Sequence, residues 1–124
     1  MGEIRITRIY EPISSEDGTR ILVDRLWPRG ISKEKACLDY WWKEVTPSSQ
    51  LRKWFGHDPQ KFLDFRNLYR KELDENKLIN EYIVCIRQIL KTQNLTLLYA
   101  AKDPSCNHAL ILKEWFEEML YVDK

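Results

Sequence analysis

The chain has 124 residues, 44% of them apolar, with five Trp, six Tyr and four Phe, which suits one domain around one core. Its charged residues, 31% of the total, nearly cancel to a formal charge of +1, which argues against a dedicated nucleic-acid sleeve but allows a local basic patch. No apolar run approaches the ~20 residues of a membrane helix, and nothing at the N-terminus resembles a signal peptide. The cysteines Cys37, Cys85 and Cys106 are far apart and form no CxxC pair, so a reduced, cytoplasmic protein with free thiols is expected.

In chain order, Ile4 to Tyr10 alternates Ile with Arg and Thr, the pattern of a half-buried strand. Glu11 to Thr19 is a loop by composition. Arg20 to Asp24 is a second strand, and its Ile-Leu-Val centre suggests burial on both faces. It runs into Arg25-Leu26-Trp27-Pro28-Arg29-Gly30, where Pro28 and Gly30 end regular structure. Ser32 can cap a short helix to about Leu38. Leu38 to Val45 is ambiguous; its aromatics favour a strand at a sheet edge. Pro47-Ser48-Ser49 opens a short helix to Phe55, which Gly56 can end in the left-handed conformation. Asp58 followed by Pro59 is a helix start, and Phe62, Phe65, Tyr69 and Leu73 then form one apolar face flanked by Arg66 and Arg70. A second long helix carries Leu78 to Leu90.

Leu95 to Leu112 organises the rest. Leu95, Leu97, Leu98, Tyr99, Ala100 and Ala101 form a nearly unbroken apolar run, as in a strand covered on both faces of a parallel sheet. Lys102 to His108 are then polar or turn-forming, and apolar spacing turns helical from Ala109 onwards. Asp103 with Pro104 repeats the capping signature of Asp58 with Pro59. The fold class expected is α/β: a small single domain over residues 1–124, with a mostly parallel sheet, flanking helices and a polar cleft at the C-terminal ends of the strands.

The strings VDRLWPRG at Val23 to Gly30, PSSQLRKWFGHDP at Pro47 to Pro59, FRNLYRKEL at Phe65 to Leu73 and LTLLYAAKDPSCNHALIL at Leu95 to Leu112 together resemble the YeaO-like branch of the DUF488 family. The resemblance runs over nearly the whole chain. It implies a small cytoplasmic α/β domain and no particular reaction. Other branches look like D-P-x-x-C-H-R in the second polar motif. In this chain His108 matches the histidine of that pattern, Asn107 stands at the cysteine position and Ala109 at the arginine position, so a Cys-His-Arg role does not carry over.

Arg25 and Arg29 follow a buried strand, where guanidinium groups can grip phosphate or carboxylate; they could equally hold the loop by bonding carbonyls or Asp24. Asp24 could orient a ligand or pair with either arginine. His57 and His108 are the candidates for proton transfer, against a helix cap for His57 and a hydrogen-bonded core role for His108. Asp103 is chiefly a helix cap with a ligand role as the lesser option, and Asn107 could bond a ligand or tie two loops. Cys106, at a helix start, lacks the following arginine and glycine-rich cradle of a nucleophilic loop. No HxxxH-type spacing supports a metal site among His57, His108, Asp24 and Asp103, and no cofactor is expected. The leading expectation is a small enzyme or ligand-binding domain for an anionic, phosphate- or nucleotide-like small molecule. The alternatives are a nucleic-acid or regulatory module using Arg5, Arg8, Lys33, Lys35, Arg52 and Lys53, and a scaffold whose exposed aromatics meet a protein partner. The sequence does not fix an oligomeric state.

Overall fold

The computed structural model describes residues 2–122. Its elements are β1 (Ile4–Arg8), β2 (Thr19–Leu22), α1 (Lys33–Ala36), β3 (Tyr40–Trp41), α2 (Ser49–Phe55), α3 (Phe62–Asp74), α4 (Ile79–Leu90), β4 (Leu95–Tyr99) and α5 (His108–Val122). The sheet is four-stranded, ordered β1-β4-β2-β3, and each pairing is parallel. β4 lies between β1 and β2, with Leu95 opposite both Ile4 and Thr19. All five residues of β4 are buried, which is why its sequence lacks polar alternation. The predicted strand at Leu38 to Val45 contracts to two residues at the sheet edge, Tyr40 and Trp41, opposite Ile21 and Leu22.

Side-chain alternation divides the sheet into unequal faces. Ile21, Val23, Leu95, Leu97 and Tyr99 enter a large core with apolar residues of α2 to α5. Leu22 and Leu98 enter a small one with Ile9 and Ala36, covered by Trp27, Ile31, Leu38 and Trp41. Polar groups complete this thinner side. Arg20 is buried and bonds the Asp17 carboxylate at 2.6 Å and the Ala36 carbonyl through Nε and Nη2, while Thr96 donates to the Asp17 carbonyl. Every strong charge there meets a partner, as burial requires. Gly18, at φ +62°, is needed because a Cβ would sit 2.0 Å from the Asn94 carbonyl oxygen.

The helix ends follow local chemistry. Ser32 and Ser48 cap α1 and α2 by accepting from Lys35 and Leu51 amides, and Gly56 closes α2 in the left-handed conformation. Asp58 caps a 3₁₀ turn, Pro59–Lys61, that leads into α3. Glu72 ties α3 to the start of α2 by accepting from both the amide and hydroxyl of Ser48. Across α3 and α5, Phe65, Tyr69, Leu73, Leu112 and Phe116 are buried together, each large side chain worth roughly 1.5–3 kcal/mol of burial. Outside that contact, Arg66 pairs with Glu114, and Arg70 reaches both Glu114 and Glu118. Partly exposed ion pairs contribute less than ~1 kcal/mol each, so packing rather than charge joins the two helices.

The hydrogen bond from Arg66 holds the Glu114 carboxyl below its ordinary value of 4.5, against an opposing push from burial. A carboxylate depressed in the folded state stabilises fully above its unfolded value, and this contribution is lost as pH falls through the folded one. Glu114→Gln should therefore lower the melting temperature slightly at neutral pH and leave it unchanged at pH well below 4.5, a convergence that melting curves across pH would record.

Candidate functional site

The site forms where two neighbouring strands send their chains apart. β2 continues towards β3, whereas β4 continues into α5, which packs back on β1 and β4. A crevice opens beyond the strand ends at such a divergence. The two ends are clamped together. Asp24 Oδ2 accepts from the Ala100 amide at 2.9 Å, the Val23 amide donates to the Leu98 carbonyl at 3.0 Å, and Trp41 Nε1 donates to the Asp24 carbonyl at 2.6 Å. His108 Nε2 lies 2.6 Å from the Val23 carbonyl. A carbonyl only accepts, so Nε2 carries the hydrogen. The same nitrogen is 3.2 Å from Asp24 Oδ1, which is buried and makes no well-formed hydrogen bond.

The crevice is a cleft of about 1010 Å³, and Asp24, Arg25, Arg29, His57, Asp103, Asn107 and His108 all border it. Its walls are the loop after β2, the loop after β4, and a third segment from Thr46 through α2 to His57, with Phe65 of α3 behind. The third wall brings Arg52 and Lys53, and the β4 loop brings Lys102, so five cationic residues face two carboxylates. The exposed side chains of Arg25, Arg29, Lys53 and Lys102 make no ion pair or hydrogen bond with the described residues.

Several sequence expectations resolve differently in three dimensions. Asp24 pairs with neither Arg25 nor Arg29; its Oδ2 accepts from a backbone amide, and its Oδ1 lies 3.2 Å from His108 Nε2 without a well-formed hydrogen bond. Asp103 does not cap α5. Its carboxylate accepts from the Ser105 and Cys106 amides in the turn before the helix, and Asn107 caps α5 by accepting from the Leu110 amide while donating to the Asp103 carbonyl. Asn107 is 2% exposed, so both ends of its amide serve the chain. His57 follows the cap of α2 instead of forming it. It is exposed, at φ 59°, an uncommon conformation for a residue with a Cβ. Cys106 does not border the cleft, and burial pushes its thiol up, with Asp103 adding to the effect, the wrong direction for a nucleophile. No three His, Cys, Asp or Glu side chains among the described residues converge as a metal group.

The last residue of β1 and a second residue just beyond it brace the cleft loops. Arg8 Nε donates to the Ala100 and Ala101 carbonyls at 3.2 and 3.0 Å, and the Tyr10 hydroxyl donates to the Arg29 carbonyl at 2.6 Å. The Arg8 guanidinium also sits 4.7 Å from the centre of the Tyr10 ring, a favourable cation–π distance. Of the other basic residues in the alternative nucleic-acid patch, Arg5 pairs with Glu16, Lys33 and Lys35 lie on α1, and Arg52 and Lys53 belong to the cleft. Sequence reasoning gave Arg52, Lys53 and Lys102 no place in this site, because nothing in local spacing shows that the segment before α3 folds over the strand ends.

The arrangement defines a small α/β domain with a cation-lined cleft at the C-terminal ends of a parallel sheet. Residues 3–124 match the family described as the inactive DUF488-N3 subclade, and the chain belongs to that family. It is 45% identical to the uncharacterized protein YeaO of Escherichia coli over 116 residues, covering 94% of this chain and 98% of that one. It is 35% identical over 111 residues to the uncharacterized proteins Mb3100c of Mycobacterium bovis and Rv3073c of Mycobacterium tuberculosis, covering 90% of this chain and 91% of each. No solved structure matches the chain. No described helix is long and apolar enough to cross a membrane.

The Asp24 clamp has a direct test. Asp24→Ala leaves the Ala100 amide without its acceptor and should lower stability by about 1–3 kcal/mol in urea unfolding, with faster hydrogen exchange at that amide. In Tyr10→Phe, exchange should quicken around Arg29 while the unfolding midpoint moves little.

Proposed function

We propose that this chain is a ligand-binding domain for a phosphate-bearing small molecule, and that it binds without performing covalent chemistry on it. The observation that carries the reading is the set of cations around the cleft. Arg25, Arg29, Lys53 and Lys102 come from three different walls and have no partner among the described residues. Bringing like charges together around a concave surface raises the potential inside it and draws in anions. Arginine adds a planar fork suited to phosphate oxygens.

Binding without catalysis is supported from two sides. His108 holds the Val23 carbonyl through the nitrogen that carries its hydrogen, which makes it a strut between α5 and β2. The Cys and Arg positions of the D-P-x-x-C-H-R pattern are Asn107 and Ala109, and Asn107 is committed to capping α5. The family description carries the word inactive, in keeping with that loss.

Thermal melts with inorganic pyrophosphate at low ionic strength test the reading. A ligand at one hundred times its Kd stabilises by about 2.7 kcal/mol, a rise of several degrees for a chain of this size. The double variant Arg25→Ala with Arg29→Ala should melt within about 0.5 kcal/mol of the parent alone, since both side chains are exposed, and should lose the ligand-induced rise. A parent melting temperature that stays fixed at millimolar pyrophosphate would overturn the proposal.

A further inference from the structure

We infer that the cleft takes a nucleotide: its phosphates at the cationic rim and its flat ring in the interior. The inference rests on the phosphate-binding reading and extends it. Size comes first. At about 1010 Å³ the cleft lies at the top of the range that holds drug-sized ligands, roughly 300–1,000 Å³. Phosphate groups alone would fill a small part of it.

The second observation is how the walls divide. Arg25, Arg29, Lys53 and Lys102 are exposed side chains, whereas Phe55, Phe65, Pro28 and Pro47 are buried wall residues. Phe55 and Phe65 stack with ring centres 4.1 Å apart and planes 7° from parallel. Trp27, half-buried, adds an indole to the same lining, its Nε1 held by the Ile31 carbonyl. A purely ionic ligand would leave the exposed Leu26 side chain and the half-buried Trp27 indole of this lining in water. A ligand with a flat apolar body covers both and gains the burial free energy of its ring, with the Trp27 indole as the face on which it stacks.

The third observation concerns hydrogen-bonding capacity. Of the buried side-chain polar atoms without a hydrogen bond among the described residues, two belong to residues that line this cleft: Asp24 Oδ1, an acceptor, and Arg52 Nε, a donor. Native proteins leave few such atoms unmet, and those that remain call for an explanation. A nitrogenous base edge offers N–H donors beside ring acceptors, the complement to this pair, while a phosphate offers only acceptors to the rim.

Calorimetric titration at low salt separates this inference from the reading beneath it. The probes are pyrophosphate, ribose 5-phosphate, ADP, UDP and a 5′-phosphorylated single-stranded oligonucleotide. ADP or UDP should bind at least tenfold more tightly than pyrophosphate and ribose 5-phosphate. Arg25→Ala with Arg29→Ala should weaken both classes, and Trp27→Leu should weaken the nucleotide while leaving pyrophosphate affinity within twofold. Equal affinity for pyrophosphate and the nucleotides overturns the inference and leaves phosphate binding standing. Binding of none of them overturns both. An oligonucleotide that binds tenfold more tightly than either nucleotide overturns a small-molecule site in favour of a nucleic-acid one. Should Trp27→Leu fail to fold, Arg52→Lys, which keeps the charge and removes the unmet Nε donor, serves as the second variant, with the same selective loss of nucleotide affinity expected.

Discussion

The pairing of β2 with β4 at the middle of the sheet, locked at its C-terminal end by the Asp24 carboxylate on the Ala100 amide, is the constraint on which the site depends. Two parallel neighbours deliver their chains to the same edge of the sheet, and the clamp keeps the departing loops in register. His108 adds a third tie by joining the start of α5 to the last carbonyl of the β2 side. These links use backbone groups, one carboxylate and one imidazole. None uses the guanidinium of Arg25 or Arg29, which is why both side chains stay available above the cleft.

Charge and packing are kept apart in this protein. On the thin side of the sheet the buried Arg20 is matched by Asp17 and by the Ala36 carbonyl, because a low-dielectric setting penalises an unmet charge severely. On the α3–α5 surface, arginines and glutamates neutralise one another in water. Around the cleft, Arg25, Arg29, Lys53 and Lys102 gather without partners among the described residues. A chain whose charges sum to almost nothing can therefore still concentrate positive charge at one place on its surface. That charge is rim-exposed, and its field weakens with salt over a Debye length of about 8–10 Å near physiological ionic strength.

Much of this was legible in the sequence, and the limits have physical causes. Leu95 to Tyr99 announced a central strand because a strand covered on both faces has no reason to alternate. Ser32, Gly56 and Asp58 announced their caps because capping is decided within a few residues. The site residues at the strand ends were legible for the same reason, since a strand running into polar residues marks an edge. The choice between Asp103 and Asn107 as the cap of α5 was not, because both side chains can cap and the outcome depends on where the turn after β4 finishes. Arg20 read as one charge in a strand, and its burial against Asp17 depends on a covering segment that returns from residues 27–41. Arg52 and Lys53 joined the cleft through the packing of α2 against α3, a tertiary event without a local signature.

The strand order carries a consequence for how the protein comes into being. β1 and β2 are not neighbours; β4 lies between them, so Ile4 and Thr19 each wait for Leu95 before they have a strand to pair with. During synthesis from the N-terminus, a ribosome that has released the first ninety residues has exposed two strands with nowhere to go except the two-residue contact of β2 with β3. Loops of that length must close before most of the sheet gains anything, the condition that slows folding in proteins of high contact order. The helices α2 to α4 can assemble earlier, through local contacts. The cleft is thus among the last features to form, since its second wall does not exist until the chain passes His108, and a product truncated near residue 90 would carry Arg25, Arg29, Arg52 and Lys53 without the cleft that organises them.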